Sequence, residues 1–248
     1  MDLAREFVIR ERHHRIHNPL TPEKLSTVAA AIRLRPGWSM LDLACGSGEM
    51  LCTWSRHHGI RGTGVDISTA FLASARQRAA ELGVAERLEF VHGDASGFVA
   101  AEPVDVAACI GATWIGGGLE GTVELLARSL RPGGIMLIGE PFWLQEPPDQ
   151  AAVTGSGAGS RDDFEDLPGL VASFGRLGWD LVEMVLADQD SWDRYVAAQW
   201  LSVRTWLDEN PDDELAPAMR AELDTAPLDY VRYQRRHLGW GVFALMKR

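Results

Sequence analysis

The chain has 248 residues, 46% hydrophobic and 24% charged, with a formal net charge of −11. That length suits one large domain with a sizeable core. The acidic balance argues against a broad phosphate-tracking surface for DNA or RNA, which needs clustered Lys and Arg. Three cysteines, Cys45, Cys52 and Cys109, with no two at C-x-x-C spacing, argue against a disulfide scaffold and against a zinc site.

In chain order, "MDLAREFVIRER" is charged throughout and has no apolar stretch of the signal-peptide kind. The strongly basic "FVIRERHHRIHNP" reads as a solvated helical face, and in "NPLTPEKLSTVAAAIRL" Thr21 with Pro22 reads as a helix N-cap and first position. Strand-like runs follow at 39–44, 62–67, 87–93, 104–110, 135–140, 181–187 and 240–246. Several are continuously apolar, as a strand buried on both faces requires. Between them, "EMLCTWSRHHG", "TAFLASARQRAAELG" and "GTVELLARSLRPGG" carry apolar residues at helical spacing and stop at glycine. This alternation predicts a doubly wound α/β domain with a parallel sheet. "TGSGAGSRDD" (154–163) reads as a flexible loop, and residues 188–239 as a largely helical insertion between the sixth and seventh strands. No stretch is long and apolar enough to suggest a membrane span, so a soluble cytoplasmic protein is expected.

"DLACGSGEM" at 42–50 places small residues behind the first buried strand. It reads either as a tight turn or as a loop that admits a ligand to the backbone and to the next helix's amides. Gly46-x-Gly48 is followed by Leu51 rather than a third glycine, so it is not the dinucleotide fingerprint. Asp66 ends the second strand, where a carboxylate can accept from two ribose hydroxyls, and Asp94 ends the third, facing an adenine amine. Each alone would also serve as a helix N-cap. All three features lie at carboxyl ends of successive strands, where open α/β sheets bind ligands.

At these residues the sequence resembles class I S-adenosylmethionine-dependent methyltransferases, over the core from about 38 to 140. "HRIHNP", "GSGEMLCTW", "GATWIGGG" and "GWDLVEMVLADQ" further resemble an uncharacterised group of bacterial small-molecule methyltransferases. The resemblance implies a Rossmann-like seven-stranded sheet with S-adenosylmethionine as cofactor. Ala44, Cys45, Gly46 and Gly48 would flank the methionine moiety, Asp66 and Ile67 the ribose and adenine edge, Gly93, Asp94 and Ala95 the base, and Ile110 the adenine cleft. The expected organisation is a covering segment (1–35), a cofactor-binding core (36–187), a helical lid (188–239) and a final core strand (240–248).

Methyl transfer needs positioning, water exclusion and sometimes a base. Glu140, at the end of the fifth strand beside Trp143, is the candidate base; the alternative is a capping carboxylate. Trp114 and Trp143 wall a substrate pocket or belong to the core. His13, His14 and His17 either supply a base or lie on the surface. In the insertion, Trp192, Tyr195 and Trp200 share an apolar face with Val196, Val203, Trp206 and Leu207; they form a lid or a passive cap. A small-molecule acceptor is expected, with no nucleic acid, membrane or metal. The other readings are a non-catalytic cofactor-binding module and methylation of RNA or protein.

Overall fold

Strand order sets the position of everything functional. In a computed structural model, which describes residues 2–248, the strands are β1 (Ser39–Leu43), β2 (Arg61–Asp66), β3 (Leu88–His92), β4 (Val104–Ile110), β5 (Leu130–Trp143), β6 (Trp179–Leu186) and β7 (Leu238–Lys247). They form one sheet in the order β3-β2-β1-β4-β5-β7-β6. β1 to β5 pair in parallel, and β7 runs antiparallel between β5 and β6. The order reverses between β1 and β4, which opens a crevice at their carboxyl ends. Met40, Leu41 and Leu43 of β1 are all buried, which explains the continuous apolar run of this central strand.

The strand positions match the sequence reading, with ends that differ by a few residues. The largest difference is β5, which runs to Trp143 because Phe142 and Trp143 continue the ladder to Gly239 and Leu238 of β7. The helices include α1 (Arg5–Glu11), α2 (Pro22–Ala31), α3 (Glu49–His58), α4 (Thr69–Glu81), α5 (Leu119–Ala127), α6 (Gln150–Gly155), α7 (Leu167–Arg176), α8 (Gln189–Glu209) and α9 (Ala216–Asp229). Thr21 caps α2 by accepting from the Lys24 amide at 3.2 Å, with Pro22 in the first turn. The stretch expected to be a flexible loop is partly ordered. Its first two residues end α6, and Gly155 lies so close to the Tyr233 ring that an added Cβ would clash.

The insertion between β6 and β7 packs on the N-terminal segment rather than standing alone. Ile9 of α1 joins Val203, Trp206 and Leu207 of α8 and Ala216 and Met219 of α9 in a separate apolar cluster. The arginines of the N-terminal segment, within the basic stretch and just before it, do not form a free cationic face. Arg5 pairs with Asp213 at 2.8 Å and with Glu214 at 3.2 Å, Arg10 with Glu222 at 2.9 Å, and Arg12 with Glu209 at 2.8 Å. Such exposed pairs add little stability one by one, but together they match a basic strap to an acidic cap.

Close approach of β4 and β5 at the crevice depends on Gly139. A Cβ there would lie 2.8 Å from Ile110 Cα and 2.9 Å from the Gly111 amide nitrogen. Backbone cannot yield as a flexible side chain can. Gly139→Ala is therefore expected to cost about 1–3 kcal/mol, read as a lower urea midpoint; an unchanged midpoint would contradict the close packing.

Candidate active site

The loop after β1 is bent by three residues in the left-handed region: Ala44 (φ 58°), Gly46 (φ 54°) and Gly48 (φ 66°). Ala44 carries a Cβ and so holds this conformation at some cost, as residues at ligand clamps often do. Asp66, at the tip of β2, restrains the loop. Its Oδ2 accepts from the Gly46 amide at 2.8 Å and its Oδ1 from the Ser68 amide at 2.8 Å. Each oxygen retains a lone pair for a further donor. A Cβ on Gly46 would lie 2.7 Å from His17 Nδ1, so glycine here lets the imidazole rest on the loop. His17 Nε2 lies 3.0 Å from the Ser47 hydroxyl, and the ring packs on Phe71 at 4.2 Å. Burial lowers the pKa of His17 and favours its neutral form.

A cavity of about 730 Å³ opens above this loop, within the range of small-molecule sites. Ala44, Cys45, Gly46, Asp66, Ile67, Asp94, Ala95 and Ile110 all line it. Gly48 and Gly93 do not. Gly48 instead keeps α3 and α4 close to the sheet, since a Cβ there would meet Phe90 at 2.8 Å and Ala75 at 2.9 Å. Gly93 donates its amide to the Asp66 carbonyl at 3.0 Å. Asp94 also caps the short turn Ala95–Gly97 through the Ser96 amide at 2.9 Å. Asp42 lines the cavity too, a residue to which the sequence analysis assigned no role. Burial, and then the Asp66 carboxylate, push its carboxyl well above the usual range.

A second cavity of about 1110 Å³ adjoins the first, and both are lined by Phe7, His17, Asn18, Gly111 and Trp114. Glu140, Trp192 and Tyr195 line this larger space. Trp114 stands at the shared boundary with 72% of its surface exposed. Trp143 does not reach either cavity. It is buried, its indole donates to the Arg161 carbonyl at 2.8 Å, and its ring packs edge-on against Phe164, so it belongs to the core. The Glu140 Oε2 atom is buried without a hydrogen-bond partner. Burial raises its pKa to about 7, the Thr113 hydroxyl opposing the rise and Glu165 adding to it.

The histidine-rich segment contributes more than a surface. Glu11 has a fully buried side chain that accepts from the Tyr195 hydroxyl at 2.9 Å and from Gln199 at 2.6 Å, and it meets His14 Nδ1 at 2.8 Å. Burial opposes its charge, but His14, His17 and Gln199 together hold its pKa below the ordinary value. Glu11 thereby fastens α1 to the cavity-lining face of α8. Its only sequence signal was its place three residues before a histidine.

The family model described as "Methyltransferase domain" matches residues 40–134. The "Uncharacterized protein YjhP" of Escherichia coli (strain K12) is 59% identical over 248 residues, covering 100% of both chains. A solved SAM-dependent methyltransferase from Geobacter sulfurreducens, in complex with S-adenosyl-L-homocysteine, superposes with a TM-score of 0.98. It is 64% identical, with 100% of this chain and 99% of that chain covered. The SAM-dependent methyltransferase from Thiobacillus denitrificans, also in complex with S-adenosyl-L-homocysteine, gives 0.98 at 59% identity, with 100% of both chains covered.

The raised Glu140 pKa has a consequence for stability. The folded state keeps a proton up to about pH 7 that an unfolded glutamate releases near its ordinary value of about 4.3. Stability from this group is therefore present at acid pH and is lost as pH rises through that window. Glu140→Gln has no proton to lose, so it should be more stable than wild type by about 1–3 kcal/mol near pH 8. The difference should vanish near pH 4. Urea denaturation at both pH values checks this, and a constant difference would mean that Glu140 ionises normally.

Proposed function

Because the chain belongs to the class I S-adenosylmethionine-dependent methyltransferases, we propose that it methylates a small molecule held in the larger of its two cavities. The observation that carries the reading is the junction of the two spaces at His17, Gly111 and Trp114. A cofactor seated on the glycine loop would meet its acceptor there, with solvent restricted by the strap and cap. A nucleic-acid acceptor loses its motive, because Arg5, Arg10 and Arg12 are already paired with acids of the cap.

The residues of the smaller cavity fit S-adenosylmethionine. Asp42 is a buried carboxyl whose surroundings raise its pKa, and a cationic ligand group beside it would favour its ionised form. Asp66 has lone pairs left for ribose hydroxyls, and Asp94 with Ala95, on the same cavity wall, would hold the base. Ile67 and Ile110 would enclose the adenine, while Ala44, Cys45 and Gly46 would flank the methionine moiety. When bound, the cofactor supplies an activated methyl group. The chain's own part is to hold the acceptor in line, exclude water, and take a proton.

Glu140 is the candidate for that last task. Its unpartnered oxygen and its pKa of about 7 suit a general base near neutral pH. α8 would act as the lid, with Trp192 and Tyr195 over the acceptor and Glu11 holding the helix to the N-terminal segment.

Calorimetric titration with S-adenosylhomocysteine tests the cofactor assignment. Binding is expected, and Asp66→Ala should weaken it by about 1.5–3 kcal/mol as charge-assisted hydrogen bonds to the ribose are lost. An unaltered affinity would remove Asp66 from the site. For the lid, Trp192→Ala and Tyr195→Ala should each lower kcat/KM by about tenfold or more, some 1.4 kcal/mol, without changing S-adenosylhomocysteine affinity. Unchanged kcat/KM in both variants would leave α8 a passive cap.

A further inference from the structure

The larger cavity is strongly asymmetric in charge. Glu140 stands in its interior, and Glu120, Asp162, Asp163 and Glu165 lie exposed around it. Among the described residues lining it there is no lysine. The one arginine, Arg176, is already paired with Glu165 at 3.3 Å. His17 is held neutral by burial. Glu140 therefore has a buried oxygen with neither a hydrogen-bond donor nor a protein cation beside it. A buried carboxylate in that state is costly unless something else supplies the charge.

A second observation concerns the ligand directly. Trp192 is only 7% exposed, lines the same cavity, and its buried indole N–H has no acceptor. Glu140 and Trp192 thus both line the cavity, and each carries a buried polar atom that no protein group satisfies, an acceptor on the first and a donor on the second. Trp114, Tyr195 and Trp240 add aromatic surface, which attracts a cation through the ring quadrupole.

We propose that the methyl acceptor is a primary or secondary amine, bound as its ammonium ion and carrying a neutral oxygen that accepts from Trp192. The proposal rests on the small-molecule reading above and narrows it to a class. The rim carboxylates draw the cation inward, and the ammonium donates to Glu140. For transfer, one N–H proton passes to the Glu140 carboxylate. The freed nitrogen lone pair then forms the new N–C bond to the methyl group as the C–S bond breaks, its electron pair remaining on sulfur. The products are the N-methylated ammonium ion and S-adenosylhomocysteine, and the proton on Glu140 leaves through the cavity mouth to water. Desolvation among aromatic side chains lowers an amine's pKa and assists the first step.

Binding measurements separate this class from its competitors. Two sets of probes of matched shape are titrated into the protein saturated with S-adenosylhomocysteine, at about pH 8: tyramine, 2-(4-hydroxyphenyl)ethanol and 3-(4-hydroxyphenyl)propanoate; and 4-amino-1-butanol, 1,4-butanediol and 4-hydroxybutanoate. In at least one set the amine should bind about tenfold or more tighter than its alcohol and carboxylate analogues. Glu140→Gln should erase that preference and leave the alcohol's affinity unchanged. The rim variant Glu120→Gln with Asp162→Asn should slow amine association and reduce its salt dependence. If the alcohol or carboxylate binds as well as the amine, or if neither amine binds at millimolar concentration, the class is overturned. Retained S-adenosylhomocysteine binding would show that the methyltransferase reading itself survives, and its loss would implicate the fold or the cofactor site instead.

Discussion

The carboxylate of Asp66 is the contact on which the site depends. Placed at the carboxyl end of β2, it holds the Gly46 amide with one oxygen and the Ser68 amide with the other, each at 2.8 Å. One bond fixes the loop after β1 and the other fixes the start of α4, so two neighbouring crossovers of the sheet share one anchor. Asp66 is only 6% exposed, and a buried acid with two amide donors is well solvated by protein. Cys45 reinforces the loop by donating its amide to the Val65 carbonyl at 3.1 Å. With the loop fixed in this way, Gly46 has room for His17 above it, and the cavity gains a wall from outside the sheet.

That wall links the glycine loop to the cap. His17 touches Ser47 below, and three residues earlier His14 meets Glu11, which also receives Tyr195 and Gln199. The strap from α1 to α2 therefore joins the floor of the smaller cavity to the α8 wall of the larger one. Such a buried polar group is strong only while every member has its partner. Loss of Glu11 would strand the hydroxyl of Tyr195 and the amide of Gln199 together, which ties the seating of α8 to the N-terminal segment.

The sheet was legible because its strands obey one simple constraint. Runs such as "SMLDL" and "VDVAACI" are buried on both faces and must be apolar throughout, and the glycine loop and the acids after β2 and β3 follow at fixed offsets from those runs. Side-chain direction was not legible in the same way. Trp114 and Trp143 both follow strand ends, yet one stands exposed at the cavity boundary and the other is locked into the core by Arg161 and Phe164. The ladder between β5 and β7 decides this, since it extends β5 to Trp143 itself. Gly48 and Gly93 likewise sit in the motif without lining the cavity, because close packing and backbone pairing need them more. Glu11, and the contact made by His17, were hidden for a different reason. Their partners, Tyr195 and Ser47, lie 184 and 30 residues away, and no local periodicity encodes a contact of that range.

Two carboxyls of raised pKa stand in the joined cavities, Asp42 in the smaller and Glu140 in the larger. No cation of the chain contributes to the titration of either one. A positive charge arriving in the first cavity and another in the second would each relieve one of them. Burial raises both carboxyls, so a cation seated beside either one would favour its ionised form and displace any proton held there. The net charge of −11 would favour the approach of such a cation from solution.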